Sequence, residues 1–268
     1  MKRMLLIAAL LFASSALVTA EEWSKTYNLT GKPDLRVETS DADIRVETWA
    51  QNQIAARVVT AGYKIGDGGI QILEHQSGNS VELEVKFPRH IFSMTIGNHS
   101  HHVEVVVRMP QQGQVALHTG DGAIRLQGLK GDMDLKSGDG NEEIEGVDGH
   151  LRAHTSDGHI RASGRFDQLD LSTGDGRVEA TVLPGSTLAE GWNVETGDGS
   201  VHLQVPSDLS AEIDLKTGDG HISLDVPITV SGQMAGNHVR GKLNQGGNLL
   251  TVHTGDGSIE VGKSSGSA

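Results

Sequence analysis

His118-Thr-Gly-Asp-Gly122, Lys136-Ser-Gly-Asp-Gly140, His154-Thr-Ser-Asp-Gly158 and Ser172-Thr-Gly-Asp-Gly176 repeat one corner four times, with Asp121, Asp139, Asp157 and Asp175 set 18 residues apart. The corner returns at Glu195-Thr-Gly-Asp-Gly199, Lys216-Thr-Gly-Asp-Gly220 and His253-Thr-Gly-Asp-Gly257. A fixed period near 20 residues marks one small unit stacked on copies of itself. Around each corner the apolar residues alternate with polar ones. Val115 and Leu117, Met133 and Leu135, Leu151 and Ala153, and Leu169 and Leu171 precede it; Ile124 and Leu126, Ile160 and Ala162, and Val178 and Ala180 follow. A period of two is that of a half-buried strand. A second glycine column, Gly128, Gly146 and Gly164, marks the opposite corner, so one unit reads strand, turn, strand, turn.

One such unit buries too few side chains to fold alone, and stacking merges the apolar columns into a shared core. The predicted fold is all-β: a β-solenoid, or a flattened two-sheet stack of units of about 18 residues. Consecutive antiparallel hairpins tipped by Gly-Asp-Gly are the alternative, and the identical register of four units favours the stack. In the aspartates' role as turn residues, backbone amides are expected to bond the carboxylates and the glycines to supply positive φ. Each 18-mer is expected directly over the one before it. Spacing loosens after Asp175, where Leu183–Gly191 reads as a widened turn and Asn244–Asn248 as the turn of a hairpin excursion.

Upstream, Leu35–Val46 is a degenerate first unit with Ala42 in place of the second glycine, and strands are expected over Ala55–Val59, Val81–Phe87 and Val103–Met109. The domain reading is therefore a leader over residues 1–20, a β region with first unit and cap over 21–110, the repeat stack over 111–262, and a tail over 263–268. Lys2 and Arg3, the apolar run Met4–Val18 and the Val18-Thr19-Ala20 cleavage pattern have the form of a secretory signal peptide. The mature chain is expected to be periplasmic, cell-surface or extracellular, with no transmembrane segment. Its loss of two of the 22 basic residues leaves a net charge of −15, which disfavours nucleic acid. The chain has no cysteine, hence no disulfide and no acylated cysteine.

These Ser/Thr-Gly-Asp-Gly corners followed by Ile or Val, together with Val103–Pro110 and the closing Leu249–Val261, resemble the bacterial putative adhesin family, a domain of unknown function. The resemblance covers about Leu35 to Val261 and implies an exported β-repeat protein with a role in surface adhesion. No catalytic or ligand-contact residues come with the motif.

Stacked corners place Asp121, Asp139, Asp157 and Asp175 in a row where calcium is the candidate ligand. The denser calcium-binding nonapeptide is absent, so the structural-turn reading is preferred, with no cofactor expected. The hydroxyl column Thr119, Ser137, Thr155, Thr173, Thr196, Thr217 and Thr254 has inward parity and is expected to bond turn backbone. Glu142 interrupts a column of Ile and Val, and a local bulge turning it outward is the expectation. Asn98–His102 brings three imidazoles together, a zinc or nickel candidate read as a solvated loop. His118, His154 and His253 share an outward column broken by Lys136 and Ser172, a mixed surface.

The functional expectation is a non-catalytic adhesin or envelope-surface protein with a protein or glycan partner. A β-helical polysaccharide-active enzyme is the alternative, with Asp139 and Glu142 its testable acids; at 3% aromatics a sugar-stacking groove is hard to build. A periplasmic scaffold in envelope stress, bound through a sheet edge, is the third reading.

Overall fold

A computed structural model of the chain describes residues 20–88, 101–230 and 236–264. The expected leader lies outside them but for Ala20, as do residues 265–268 of the expected tail. Every regular element described is a strand. The N-terminal ones are β1 (Ala20–Asn28), β2 (Asp34–Thr39), β3 (Asp43–Trp49), β4 (Gln53–Ala61), β5 (Gln71–Ser77), β6 (Ser80–Lys86) and β7 (His102–Pro110). Next come β8 (Gln112–His118), β9 (Ile124–Gln127), β10 (Lys130–Lys136), β11 (Glu142–Thr155), β12 (Ile160–Thr173) and β13 (Val178–Val182). The last are β14 (Trp192–Thr196), β15 (Val201–Val205), β16 (Ala211–Thr217), β17 (Ile222–Leu224), β18 (Ile228–Val230), β19 (His238–Leu243), β20 (Leu249–Thr254) and β21 (Ile259–Lys263).

Pairing sorts these strands into two runs. Strands that precede the glycine corner pair with one another: β2, β8, β10, β11, β12 and β14 lie side by side and parallel, with Lys130 between Gln112 and Asp148. Strands that follow the corner form the second run, through β3, β9, β11, β12, β13 and β15. Parallel pairing in register excludes the hairpin alternative for these units. β11 and β12, 14 residues each, pass through the second corner and contribute to both runs. Alternate residues of both runs are buried and join one apolar cluster, Leu117, Leu135, Leu171, Ile124, Ile160 and Val178 among them.

The final two units are exchanged in space. β14 pairs with β20, and β20 with β16; β15 pairs with β21, and β21 with β17. The unit starting at Leu249 thus lies between those starting at Trp192 and Ala211, which corrects the expectation that each 18-mer rests on its predecessor. The chain between Asp219 and Asp256 is long enough to form β18 and β19, antiparallel strands outside β16, before returning to the gap.

At the other end β2 and β3 pair with β8 and β9, Leu35 beside Val115 and Ile44 beside Ile124. β6 and then β5 continue the first run outward, while β7, β4 and β1 continue the second. The antiparallel outer strands occupy the edge that the parallel units alone would leave unpaired.

Candidate functional site

Close backbone approach defines the Gly-Asp-Gly edge. A Cβ on Gly140 would stand 1.8 Å from the Gly122 carbonyl oxygen, one on Gly158 2.0 Å from that of Gly140, and one on Gly176 1.8 Å from that of Gly158. The same column continues from Gly176 to Gly199, Gly257 and Gly220, in the exchanged order. These glycines are not at positive φ, contrary to expectation; the left-handed glycines are elsewhere, among them Gly128 and Gly146 of the second corner. Steric access to the neighbouring carbonyl is therefore what the motif requires.

The hydroxyl column lies just inside this edge. Thr155 Oγ1 accepts the Gly158 amide at 3.2 Å and shares its proton between the carbonyls of Gly138, at 2.8 Å, and Gly140, at 3.1 Å. Ser137 bridges Gly140 and Gly122, both at 3.0 Å, and Thr173 bridges Gly176 and Gly158. Each hydroxyl thus ties its own corner to the preceding one. Thr39, the corresponding residue of β2, is buried, and among the described residues its hydroxyl has no partner. Thr155→Val keeps the side chain's shape but orphans the Gly158 amide and the Gly140 carbonyl, and a loss of about 2–3 kcal/mol is expected in urea unfolding. Thr155→Ser, which reproduces the Ser137 arrangement, should cost about 1 kcal/mol or less.

Asp121, Asp139, Asp157 and Asp175 are exposed. Their backbone amides donate to the adjacent corner, as from Asp139 and Asp157 to Gly120 and Gly138 at 3.1 Å, while the expected amide bonds to their carboxylates are not seen. Neighbouring carboxylates at strand spacing repel by about 0.9 kcal/mol in water. Beside Asp121, burial, followed by a hydrogen bond with Asp121 and its charge, raises the pKa of Asp41 from its ordinary value. Among the described residues no three His, Asp or Glu side chains converge on a metal position. Millimolar calcium is expected to leave the Tm unchanged; a rise above about 3 °C would assign the aspartates a ligand role.

Glu142 corrects the sequence reading. Its side chain is fully buried, and neither carboxyl oxygen has a hydrogen-bond partner. It stands in register between Ile124 and Ile160, with its amide bonded to His159 O at 2.9 Å. Regular pairing on both sides leaves no room for a bulge here; the register shifts fall later in β11, between Ile144 and Val147 and between Gly149 and His150. Burial, and then the Asp134 charge, pushes the carboxyl up to about 8 against a smaller pull from the Ser137 amide. Asp139 is exposed at the corner, so the two acids of the enzyme alternative do not face a common cleft.

Of the imidazole tract, His99 lies outside the described residues, while His101 packs against Tyr63 with ring centroids 4.8 Å apart and His102 opens β7. His118, Lys136 and His154 are neighbours on the outer face of the first run, and the strand exchange places His253 between Glu195 and Lys216.

The outer face of the second run carries a row that the sequence reading passed over. Arg125, Glu143, Arg161, Glu179, His202 and Glu260 partner one another in turn across six strands. Cationic and anionic groups alternate, with Arg125–Glu143 at 3.5 Å, Arg161–Glu179 at 2.9 Å and His202–Glu260 at 3.1 Å. The recurrence of opposite charge at positions 125, 143, 161 and 179 was the available signal. An open groove bordered by Arg125, Asn141, Arg161 and Arg177 follows this row.

Parallel units closed by glycine corners and carrying polar rows outside define a stacked β-repeat protein. The chain matches the family described as Toastrack DUF4097 over residues 33–188 and 166–262, and it belongs to that family. No curated protein matches it. Among solved structures, it is similar to a putative cell adhesion protein from Clostridium sporogenes at 15% identity and TM-score 0.45, over 91% of this chain and 100% of the other. A putative adhesin from Bacteroides fragilis is similar at 10% identity and TM-score 0.44, over 90% and 97%. A putative lipid binding protein from Parabacteroides distasonis is similar at 12% identity and TM-score 0.42, over 90% and 96%.

Proposed function

We propose that this is an exported, non-catalytic β-solenoid of about 18 residues per unit that binds a protein or glycan partner on its outer surface. In this reading residues 21–110 supply the first unit and cap, and 111–262 the binding stack. One observation carries it: outward side chains on successive strands stand in register, so each face presents straight polar rows at the strand spacing of about 4.8 Å. Such rows favour extended contact with a repetitive or broad surface over enclosure of a small substrate. Export rests on the charged, apolar and small-residue pattern of residues 1–20.

The test is a binding array of glycans and matrix proteins probed with the mature chain, alongside pull-down from envelope extracts. Saturable binding without turnover supports the reading. Turnover of any glycan overturns the non-catalytic assignment, and capture of envelope proteins alone favours a periplasmic scaffold.

A further inference from the structure

The alternating row on the second run has a property that a random mixed surface lacks: it is complementary to its own reverse. Read from β9 to β21 the signs run plus, minus, plus, minus, plus, minus, with His202 in a cationic position and charged when protonated. Two copies placed face to face by a two-fold axis parallel to the strands present the row in opposite order. Arg161 then meets Glu179 of the partner subunit, Glu143 meets the partner's His202, and Arg125 meets the partner's Glu260. A two-fold axis along the stack instead sets every charge against its own kind. The side chains are available for such contact, at 45% exposure for Arg125, 64% for Arg161 and 56% for Glu260.

The flanking columns fit the same arrangement. Ser163 meets Thr181 on one side of the row and Asn141 meets Ser200 on the other, and the one basic meeting near the axis is His159 with Arg177. Six strands of about five residues give a face of roughly 29 by 17 Å, hence about 1,000 Å² buried in the pair, the low end for a specific interface.

We propose that the outer face of the second run is a self-complementary, charge-matched interface between two copies of this chain. The partner is a second copy because the sign pattern selects it: about this axis every charge of the row meets its opposite, and Arg45, which adjoins Arg125 on β3, meets the partner's Ser223. The association is reversible and salt-sensitive, and it leaves the outer face of the first run open in both copies.

Sedimentation velocity of the mature chain tests this. In about 20 mM salt a dimer is expected, with dissociation at least about tenfold easier in about 500 mM salt. Arg161→Glu and Glu179→Arg each place like charges across the axis and are expected to give monomers. The double exchange Arg161→Glu, Glu179→Arg restores both the contact across the axis and the pair within each chain, and is expected to restore the dimer. Circular dichroism checks that each variant is folded, since an exposed pair contributes little to stability. A wild type that stays monomeric in low salt, a dimer that survives Arg161→Glu, or a folded double exchange that remains monomeric each overturns the proposal.

Discussion

Gly176→Ala is expected to leave the chain unfolded. Its Cβ would lie 1.8 Å from the Gly158 carbonyl oxygen and 2.7 Å from both the Gly158 carbonyl carbon and Thr173 Oγ1. None of these atoms is the free end of a flexible side chain. Gly158 is held in turn by the Thr173 hydroxyl at 2.8 Å and by the corner of Gly140, so relief at one level creates strain at the next. Separating the strands would break a hydrogen-bonded ladder whose spacing is fixed near 4.8 Å. The expected cost exceeds about 5 kcal/mol, comparable to the entire stability of a typical domain. Gly146→Ala is the internal comparison: no atom lies within 4 Å of its Cβ, but its φ of +61° makes alanine unfavourable by about 1–2 kcal/mol. Far-UV circular dichroism and urea midpoints distinguish the two. A folded Gly176→Ala protein with a midpoint like that of Gly146→Ala would falsify the close stacking of the corners.

Replacing Glu142 should stabilise the protein, and more so as the pH rises. The folded carboxyl, pushed up to about 8, retains its proton where the unfolded chain has released it near the ordinary value of 4.5. The stabilising contribution of that retained proton is fully present below about pH 4.5 and declines by about 1.36 kcal/mol per pH unit up to about pH 8, after which the loss is complete. The whole decline is about 5 kcal/mol for a fully buried, unpartnered group. Glu142→Ile matches Ile124 and Ile160 on either side, removes this slope and adds apolar packing. The expected result is a raised Tm at pH 5 and a markedly larger gain at pH 9. Glu142→Gln should flatten the profile as well, while keeping an unsatisfied amide in the core. An advantage for Glu142→Ile that stays constant from pH 5 to pH 9 would place the carboxylate in contact with solvent.

What was legible in the sequence was set by strictly local chemistry. The Gly-Asp-Gly corners and the columns Val115–Leu117 and Ile124–Leu126 reveal strand parity because burial alternates with period two. β5 was not foreseen, because all its residues but Ile72 are exposed and nothing in it alternates. β1 was also missed; it is an outer strand on which Tyr27 is the one buried residue. Glu142 was misassigned for a different reason. A lone acid in an apolar column looks like an outward bulge unless the pairing on both sides is known, and that pairing is long-range. The spatial order of units was equally inaccessible, since Thr254 and Thr217 carry the same corner motif and only coordinates show Thr254 bonded to Gly199 and Thr217 to Gly257. The degenerate first unit was legible in part: Ala42 stands where later units carry glycine, and its carbonyl still receives the Thr119 hydroxyl at 3.0 Å.

The placement of β20–β21 between two earlier units makes residues 249–263 a keystone. Among the described residues β14–β15 and β16–β17 share no pairing of their own, and residues 249–263 are the neighbour that joins them. Simple repeat proteins lengthen by adding copies at an end, whereas here a copy appended after residue 263 would find its neighbours already occupied. A further unit following β21 in the chain would therefore have to find its place elsewhere in the array than beside β21, whose two neighbours are β15 and β17.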